Sequence, residues 1–305
     1  MVKEELALEH STIKETTADR WFNGMNYLVL TVFLLLVLYP LVYIVSASFS
    51  EPSAVLSGKV WLYPVNPTLE GYMAVFQHKL IWSSFRNSIF YTVAGMILNV
   101  AMTVAAAYPL SRKDLYGKNV VMFLFVFTTM FSGGLIPSYL LVKGLGMLNT
   151  VWAIILPGAM GVFHVIIART YFKTTIPDEL LEAAQLDGCN DFRFVLKIVI
   201  PLSGPIIAVI ALYSAVGYWN QYFNALIYLK DQELFPLQLI LRDILVQNEV
   251  DSSMLTDLKE EAKREGVREL LKYSLIVISS LPMLAVYPFV QKYFIQGVMI
   301  GSLKG

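Results

Sequence analysis

The sequence predicts an all-α integral membrane protein with six transmembrane helices, and three observations carry that expectation. Apolar residues make up 56% of the 305 residues, charged ones only 15%, and the mean hydropathy is +0.60, far from the composition of a water-soluble domain. Six runs of about 20 apolar residues appear, each long enough at ~1.5 Å per residue to cross ~30 Å of hydrocarbon. None alternates with the two-residue period of a barrel strand, and a helix satisfies its backbone without water.

In order, the runs cover residues 27–47, 87–110, 119–142, 151–172, 204–229 and 271–294. The first follows a polar tail, 1–26, and is followed by the small-residue triplet Val45-Ser46-Ala47, which has the form of a signal-peptidase site. It is too long for a signal core, holds Pro40 and follows mixed charges, so it is read as a retained anchor. Spans four and six contain Pro157, Pro282 and Pro288, expected to break their helices, the carbonyls they free either bonding across the bundle or marking bending points.

Two spans carry polar candidates for a solute pathway. In span four, His164 shares a face with Gly161 and Ala168, small residues that mark helix contact, so it is expected to point into the bundle, either to bond a neighbouring helix or to line the pathway. In span five, Tyr213, Gly217, Asn220 and Asn224 form one stripe, with Tyr218, Trp219, Gln221 and Tyr222 beside it. Amides bond sugar hydroxyls in both directions and aromatic faces stack on sugar rings, which suits a neutral or weakly charged sugar. The alternative is an interfacial aromatic belt, although lone amides such as Asn220 and Asn224 are poor lipid-facing residues. Asn99 and Ser132 are weaker candidates of the same kind.

Charge distribution sets the orientation. With the N-terminus inside, twelve Lys and Arg fall in cytoplasmic segments and four in outer ones, once the long segment 230–272, with seven bases and ten acids of its own, is set aside. Long loops weigh least in the positive-inside rule. Both termini and the segments 111–118 and 173–203 are therefore expected in the cytoplasm. In the outer loop, 230–270, Pro236 opens Leu237, Ile240, Leu241, Ile244 and Leu245 at helical spacing, and a second, polar helix is expected over 255–271.

Several function classes are disfavoured. Net charge is zero, so no nucleic-acid partner is implied. The single cysteine, Cys189, has no intrachain partner, and no Cys/His cluster has metal-ligand spacing. No Asp or Glu lies inside the six runs, which argues against an ion-gradient carrier. A phosphate-binding G-x-x-x-x-G-K-[ST] loop is missing, so any ATP is hydrolysed by another chain. Ser132 and His164 lack a third group to orient them as a hydrolase dyad.

The segment 173–203 is a polar, helix-forming insert where a simple connection would need only a few residues. Thr175-Ile176-Pro177-Asp178 has the form of a capping box, Asp178 and Glu179 complement the helix dipole, and Gly188 is the expected stop. Leu180, Ala183 and Ala184 are placed on one face and Glu179 and Glu182 on another. Asn190 reads as the cap of a second helix ending near Pro201. From these residues alone, a docking helix and an amphipathic helix lying on the bilayer are equally supported.

The pattern Glu182-Ala183-Ala184, three residues, Gly188, nine residues, then Ile198-Val199-Ile200-Pro201 resembles the signature loop of the inner-membrane permease subunits of binding-protein-dependent ABC importers. Ile200 stands where that pattern usually has Leu. Ala107 to Arg112, Ser132 to Pro137, Trp219 to Asn224 and the stretch from Gln291 to Gly305 are similar to the carbohydrate branch of the same family. The resemblance implies a type I importer permease bundle with a cytoplasmic coupling helix, multi-pass in the bacterial cytoplasmic membrane, importing an oligosaccharide or polysaccharide fragment. It implies a homologous second permease, two ATPase subunits that bind ATP and Mg, an extracellular solute-binding protein, and no cofactor or catalysis in this chain. Glu179, Glu182, Ala183, Ala184, Asp187 and Gly188 would dock on an ATPase. The C-terminal tail, 295–305, would reach the same ATPase through Gly301, Lys304 and Gly305, with Gly297, Gly301 and Gly305 fitting a flexible strand. The same architecture serving an amino acid, peptide or phosphate is the nearest alternative, and a gradient-driven carrier is the third.

Overall fold

The computed structural model describes residues 16–247 and 258–302, and every regular element within them is helical. The first helix, α1 (Thr17–Ser48), begins inside the segment expected to be a polar tail. Its start is fixed by a reciprocal pairing: the Asp19 amide donates to the Thr16 hydroxyl at 3.2 Å, and the Thr16 amide donates to the Asp19 carboxylate at 2.9 Å. Two of the donors that a helix start leaves open are thereby satisfied. Only Ser46, Ala47 and Ser48 of α1 are buried, so the helix stands away from the rest of the chain along nearly its whole length.

Short helices α2 (Pro52–Leu56) and α3 (Glu70–Gln77) lead into α4 (Lys79–Ser111), the central element. Its 33 residues rise about 50 Å, more than one bilayer crossing needs. Ser84, Ser88, Thr92, Gly95, Asn99, Thr103 and Ala107 recur every three or four residues and are buried. Small and polar side chains on one stripe let neighbouring helices approach closely. At Gly95 the approach is close, since a methyl group there would lie 2.5 Å from the Tyr218 ring.

The third expected span is two helices, α5 (Lys118–Met130) and α6 (Leu135–Gly144), which meet at 114° around residues 131–134. Gly134 turns the chain with φ +83°, a conformation a Cβ would resist. The fourth is α7 (Trp152–Ile155) and α8 (Val162–Thr175), interrupted around Pro157 as expected. Beyond it come α9 (Asp178–Leu186), α10 (Asp191–Phe194), a π-helical turn over Val195–Val199 and α11 (Ile200–Leu202). The widened turn sits just before Pro201, which brings no N–H and crowds the preceding turn. An 85° bend then leads into α12 (Gly204–Trp219), and α13 (Phe223–Tyr228) follows a break at residues 220–222.

Among the described residues, three helices are long and apolar enough to cross a membrane, or five if each bent pair forms one span. The expected span at 151–172 is the interrupted α7 and α8.

After a short 3-10 turn, α14 (Leu237–Gln247) forms as its apolar spacing requires, with Leu237 and Ile240 buried against Val75, Ile81, Trp219 and Leu275. The segment is also fastened to α4. Asn87 donates to the Glu233 and Phe235 carbonyls, Tyr91 to the Leu234 carbonyl, and the Leu237 amide to the Ser88 hydroxyl.

The last helix, α15 (Leu258–Ser302), corrects three expectations. The polar helix expected at 255–271 is its first part, and Pro282 and Pro288 lie inside it without ending it. Close to Pro282, the Trp219 indole donates to the Ser279 carbonyl at 3.0 Å, and the Ser279 and Ser280 hydroxyls bond the Ile276 carbonyl. These bonds take carbonyls beside that of Ile278, the one left without a donor by Pro282. The helix also continues through Gly297 and Gly301, which are not in a strand, whereas Lys304 and Gly305 lie outside the described residues.

Candidate functional site

The insert helix α9 ends as its sequence requires. Gly188 adopts φ +75°, its amide donates to the Gln185 carbonyl at 3.0 Å, and the Cys189 amide reaches the Ala184 carbonyl at 2.8 Å. This paired closure satisfies carbonyls that the helix end leaves open. The start differs from the expected capping box. Thr175 belongs to the last turn of α8, Ile176 is buried, and Pro177 takes the N-cap position with no side-chain hydrogen bond. Next, Asn190 caps α10 by accepting from the Arg193 amide at 2.8 Å.

The helix faces are also rearranged. Leu181 and Ala184, three residues apart, are buried in a core shared with Tyr108, Phe172, Ile176 and Phe194. Leu180 and Ala183 are exposed, so Leu180, Ala183 and Ala184 do not share one face. The outward surface is Glu179, Leu180, Glu182, Ala183, Leu186 and Asp187, with the Leu186 side chain 90% exposed. Ala184 therefore holds α9 to its own bundle, and Ala183 is the small residue that faces away.

One set of contacts was not anticipated. Lys113 Nζ lies 2.8 Å from Asp178 Oδ2 and Arg112 Nη1 lies 3.4 Å from Asp178 Oδ1, tying the α4–α5 connection to the first residue of α9. The Lys113 ammonium holds the Asp178 carboxyl below its ordinary range, and Asp178 in turn raises Lys113. The turn is further set by Lys118, whose ammonium donates to the Arg112 and Lys113 carbonyls, and by Arg169, which donates to the Leu110 carbonyl. A sequence-level signal existed: a basic pair closing one segment and an acidic pair opening the other, both assigned to the same membrane side.

An open cavity of about 460 Å³ is lined by residues of α4, α8, α12 and the interruption before α8. Tyr213, Gly217, Tyr218, Asn220 and Asn224 line it together with His164, so the stripe read from span five faces one space. Trp219 does not: it is 2% exposed and packs against Phe85 while bonding Ser279. Asn99, a weaker candidate, is instead the hub of the cavity wall. Its amide nitrogen donates to the Gly158 carbonyl at 2.9 Å, and its oxygen meets both Ser214 Oγ at 2.7 Å and His164 Nδ1 at 2.9 Å.

The break between α7 and α8 explains why these polar groups gather. It leaves carbonyls of Ile154, Ile155 and Gly158 without intrahelical donors. Gln221 donates to the first at 3.4 Å, Tyr218 to the second at 2.7 Å and Asn99 to the third. Within hydrocarbon, unpaired carbonyls would cost several kcal/mol each, about enough to force such pairing. Among the described residues, none that lines the cavity carries a formal charge.

Comparison with known proteins agrees with this architecture. Residues 12–300 match the family described as binding-protein-dependent transport system inner membrane component. The polygalacturonan/rhamnogalacturonan transport system permease protein YtcP of Bacillus subtilis (strain 168) is 42% identical over 288 residues, covering 94% of this chain and 99% of that one. Protein LplC of the same organism is 38% identical, covering 97% and 99%. Among solved structures, a bacterial ABC transporter involved in the import of the acidic polysaccharide alginate superposes with a TM-score of 0.83 at 37% identity, covering 93% of this chain and 100% of that one. The chain therefore belongs to the family of inner membrane components of binding-protein-dependent transport systems.

Proposed function

We propose that this chain is the permease subunit of an ATP-driven importer that moves an oligosaccharide or polysaccharide fragment across the bacterial cytoplasmic membrane. The observation that carries the reading is an uncharged cavity of amides, hydroxyls and aromatic rings in a bundle whose core also holds the inner face of α9. Relatives named for polygalacturonan, rhamnogalacturonan and arabinooligosaccharides support the solute class.

In this reading the chain pairs with a homologous permease, two ATPase subunits that bind ATP and Mg, and an external solute-binding protein. The outward face of α9, with Glu179, Glu182, Ala183 and Asp187, docks on an ATPase, and Gly188 closes the helix short of the contact. The C-terminal stretch with Gly301, Lys304 and Gly305 reaches toward the same subunit. Because Leu181 and Ala184 belong to the bundle core, movement of the docked helix is passed to α4, α8 and α12 as a rigid displacement. This chain itself performs no bond chemistry.

The test is reconstitution of the complex in vesicles with a candidate binding protein. ATP-dependent uptake of a galacturonate or galactose oligomer is expected, with none when the ATPase subunits are omitted. Uptake driven by an imposed ion gradient without them would overturn the importer reading.

A further inference from the structure

Resting on the carbohydrate reading, we propose that Nε2 of His164 is a fixed hydrogen-bond acceptor in the cavity for hydroxyl groups of the solute. The argument starts at Asn99, which is 3% exposed and whose amide orientation is decided by its neighbours. Its nitrogen faces the Gly158 carbonyl at 2.9 Å, which only a donor can satisfy. Its oxygen must then be the atom that meets Ser214 Oγ and His164 Nδ1. An amide oxygen only accepts, so Nδ1 carries the hydrogen, and in the neutral ring Nε2 is left with a bare lone pair.

Two further lining side chains also leave acceptors. Gln221 and Tyr218 donate to backbone carbonyls at the α7–α8 break, and Asn220 donates to the Val216 carbonyl at 3.0 Å. The Asn220 and Gln221 side-chain oxygens have no partner among the described residues, and no Lys or Arg lines the space. Together with Nε2 of His164 these oxygens offer three acceptors, which fit hydroxyl groups because hydroxyls donate. An ionised carboxylate only accepts and cannot bond any of the three. If the solute is a uronate oligomer, its hydroxyls and not its carboxylates face these three atoms. His164 is thus a specificity-determining residue, and Asn99 and Ser214 are positioning residues that act through it.

The experiment compares two probes that differ at C6, trigalacturonate and galactotriose, in vesicles holding the whole complex. His164→Leu is expected to raise KM about tenfold for every probe that the wild type carries while kcat is retained, the size of one lost hydrogen bond. His164→Gln, which keeps an acceptor, is expected to stay within about threefold. A defect confined to trigalacturonate would overturn the proposal in favour of a cationic carboxylate clamp, and an unchanged KM would overturn it in favour of a purely structural histidine. The lock itself is read without transport, by nitrogen NMR of the histidine-labelled complex, using the signal that disappears in His164→Gln. Protonated Nδ1 with unprotonated Nε2 supports it; the opposite tautomer overturns it. A wild-type complex that carries neither probe overturns the carbohydrate reading, and the hydroxyl assignment with it, but leaves the tautomer result standing.

Discussion

Lys113 and Asp178, from two segments far apart in the sequence, meet at 2.8 Å. The first lies in the turn after α4 and the second opens α9, so one ion pair joins the end of the central helix to the proposed docking helix.

The charge state of that pair sets its pH window. Asp178 is lowered from its ordinary 3.8, so its contribution is present above that value and is lost as pH falls through the lower folded-state one. Lys113 is raised from 10.5, so its contribution is present below that value and disappears only as pH rises through the higher one. Protease cleavage in the turn holding Lys113 is expected to be constant across neutral pH and to rise below the carboxylate range. Asp178→Asn is expected to give the elevated rate at neutral pH and to abolish the acid dependence. A neutral-pH rate equal to wild type would show that the pair does not hold the turn.

Ala183 and Ala184 are expected to separate two roles that adjacent alanines share in sequence. Ala184 is 8% exposed and Ala183 faces out, so Ala184→Trp overpacks the chain's own core at a cost of about 1–3 kcal/mol or more. Ala183→Trp is expected to leave the melting temperature of the isolated chain unchanged while abolishing co-purification with the ATPase. Equal behaviour of the two substitutions in both assays would reject the outward docking face.

Gly95 is required by the ring that lies on it. Gly95→Ala places a methyl 2.5 Å from Tyr218, and the resulting shift is expected to destabilise the bundle by about 1–3 kcal/mol and to disturb the Tyr218 bond to Ile155. Thermal unfolding in detergent checks this. Gly95→Ala combined with Tyr218→Leu is expected to recover part of the loss, because the smaller side chain gives way.

Trp219 and Asn224 are neighbours in sequence that are expected to fail differently. Trp219→Phe removes the indole bond to Ser279 and lowers stability by about 1–3 kcal/mol without changing uptake KM. Asn224→Ala is expected to raise KM with stability retained, because Asn224 lines the cavity and Trp219 does not.

These contrasts show how far the sequence could be read. Periodicity and composition located the apolar runs, the α14 stripe and the Gly188 stop, because each depends on residues close in the chain. The stripe through Tyr213, Gly217, Asn220 and Asn224 was legible for the same reason, since one helix presents it. Trp219 was misassigned because its neighbour is the Ser279 carbonyl, 60 residues away, and no local pattern encodes that pairing. Asn99 was underrated likewise: a lone amide in an apolar run says nothing of the carbonyl at Gly158 that fixes it. Pro282 and Pro288 illustrate the opposite error, a local rule overridden by tertiary context. The Ala183 and Ala184 faces turned on a rotation of α9 about its axis that only packing against Phe172 and Phe194 decides.

The unbroken length of α4 constrains how any such machine can cycle. Asn87, Ser88 and Tyr91 bind it to the segment around α14, Asn99 ties it at mid-height to the break before α8, and Tyr108 with Arg112 fastens it to α9. A keel gripped at bow, waist and stern cannot yield at one station alone. In the proposed importer, a push on α9 would tilt the segment around α14 in the same stroke, leaving the hinged α5–α6 pair and the outlying α1 as the parts with slack to absorb it.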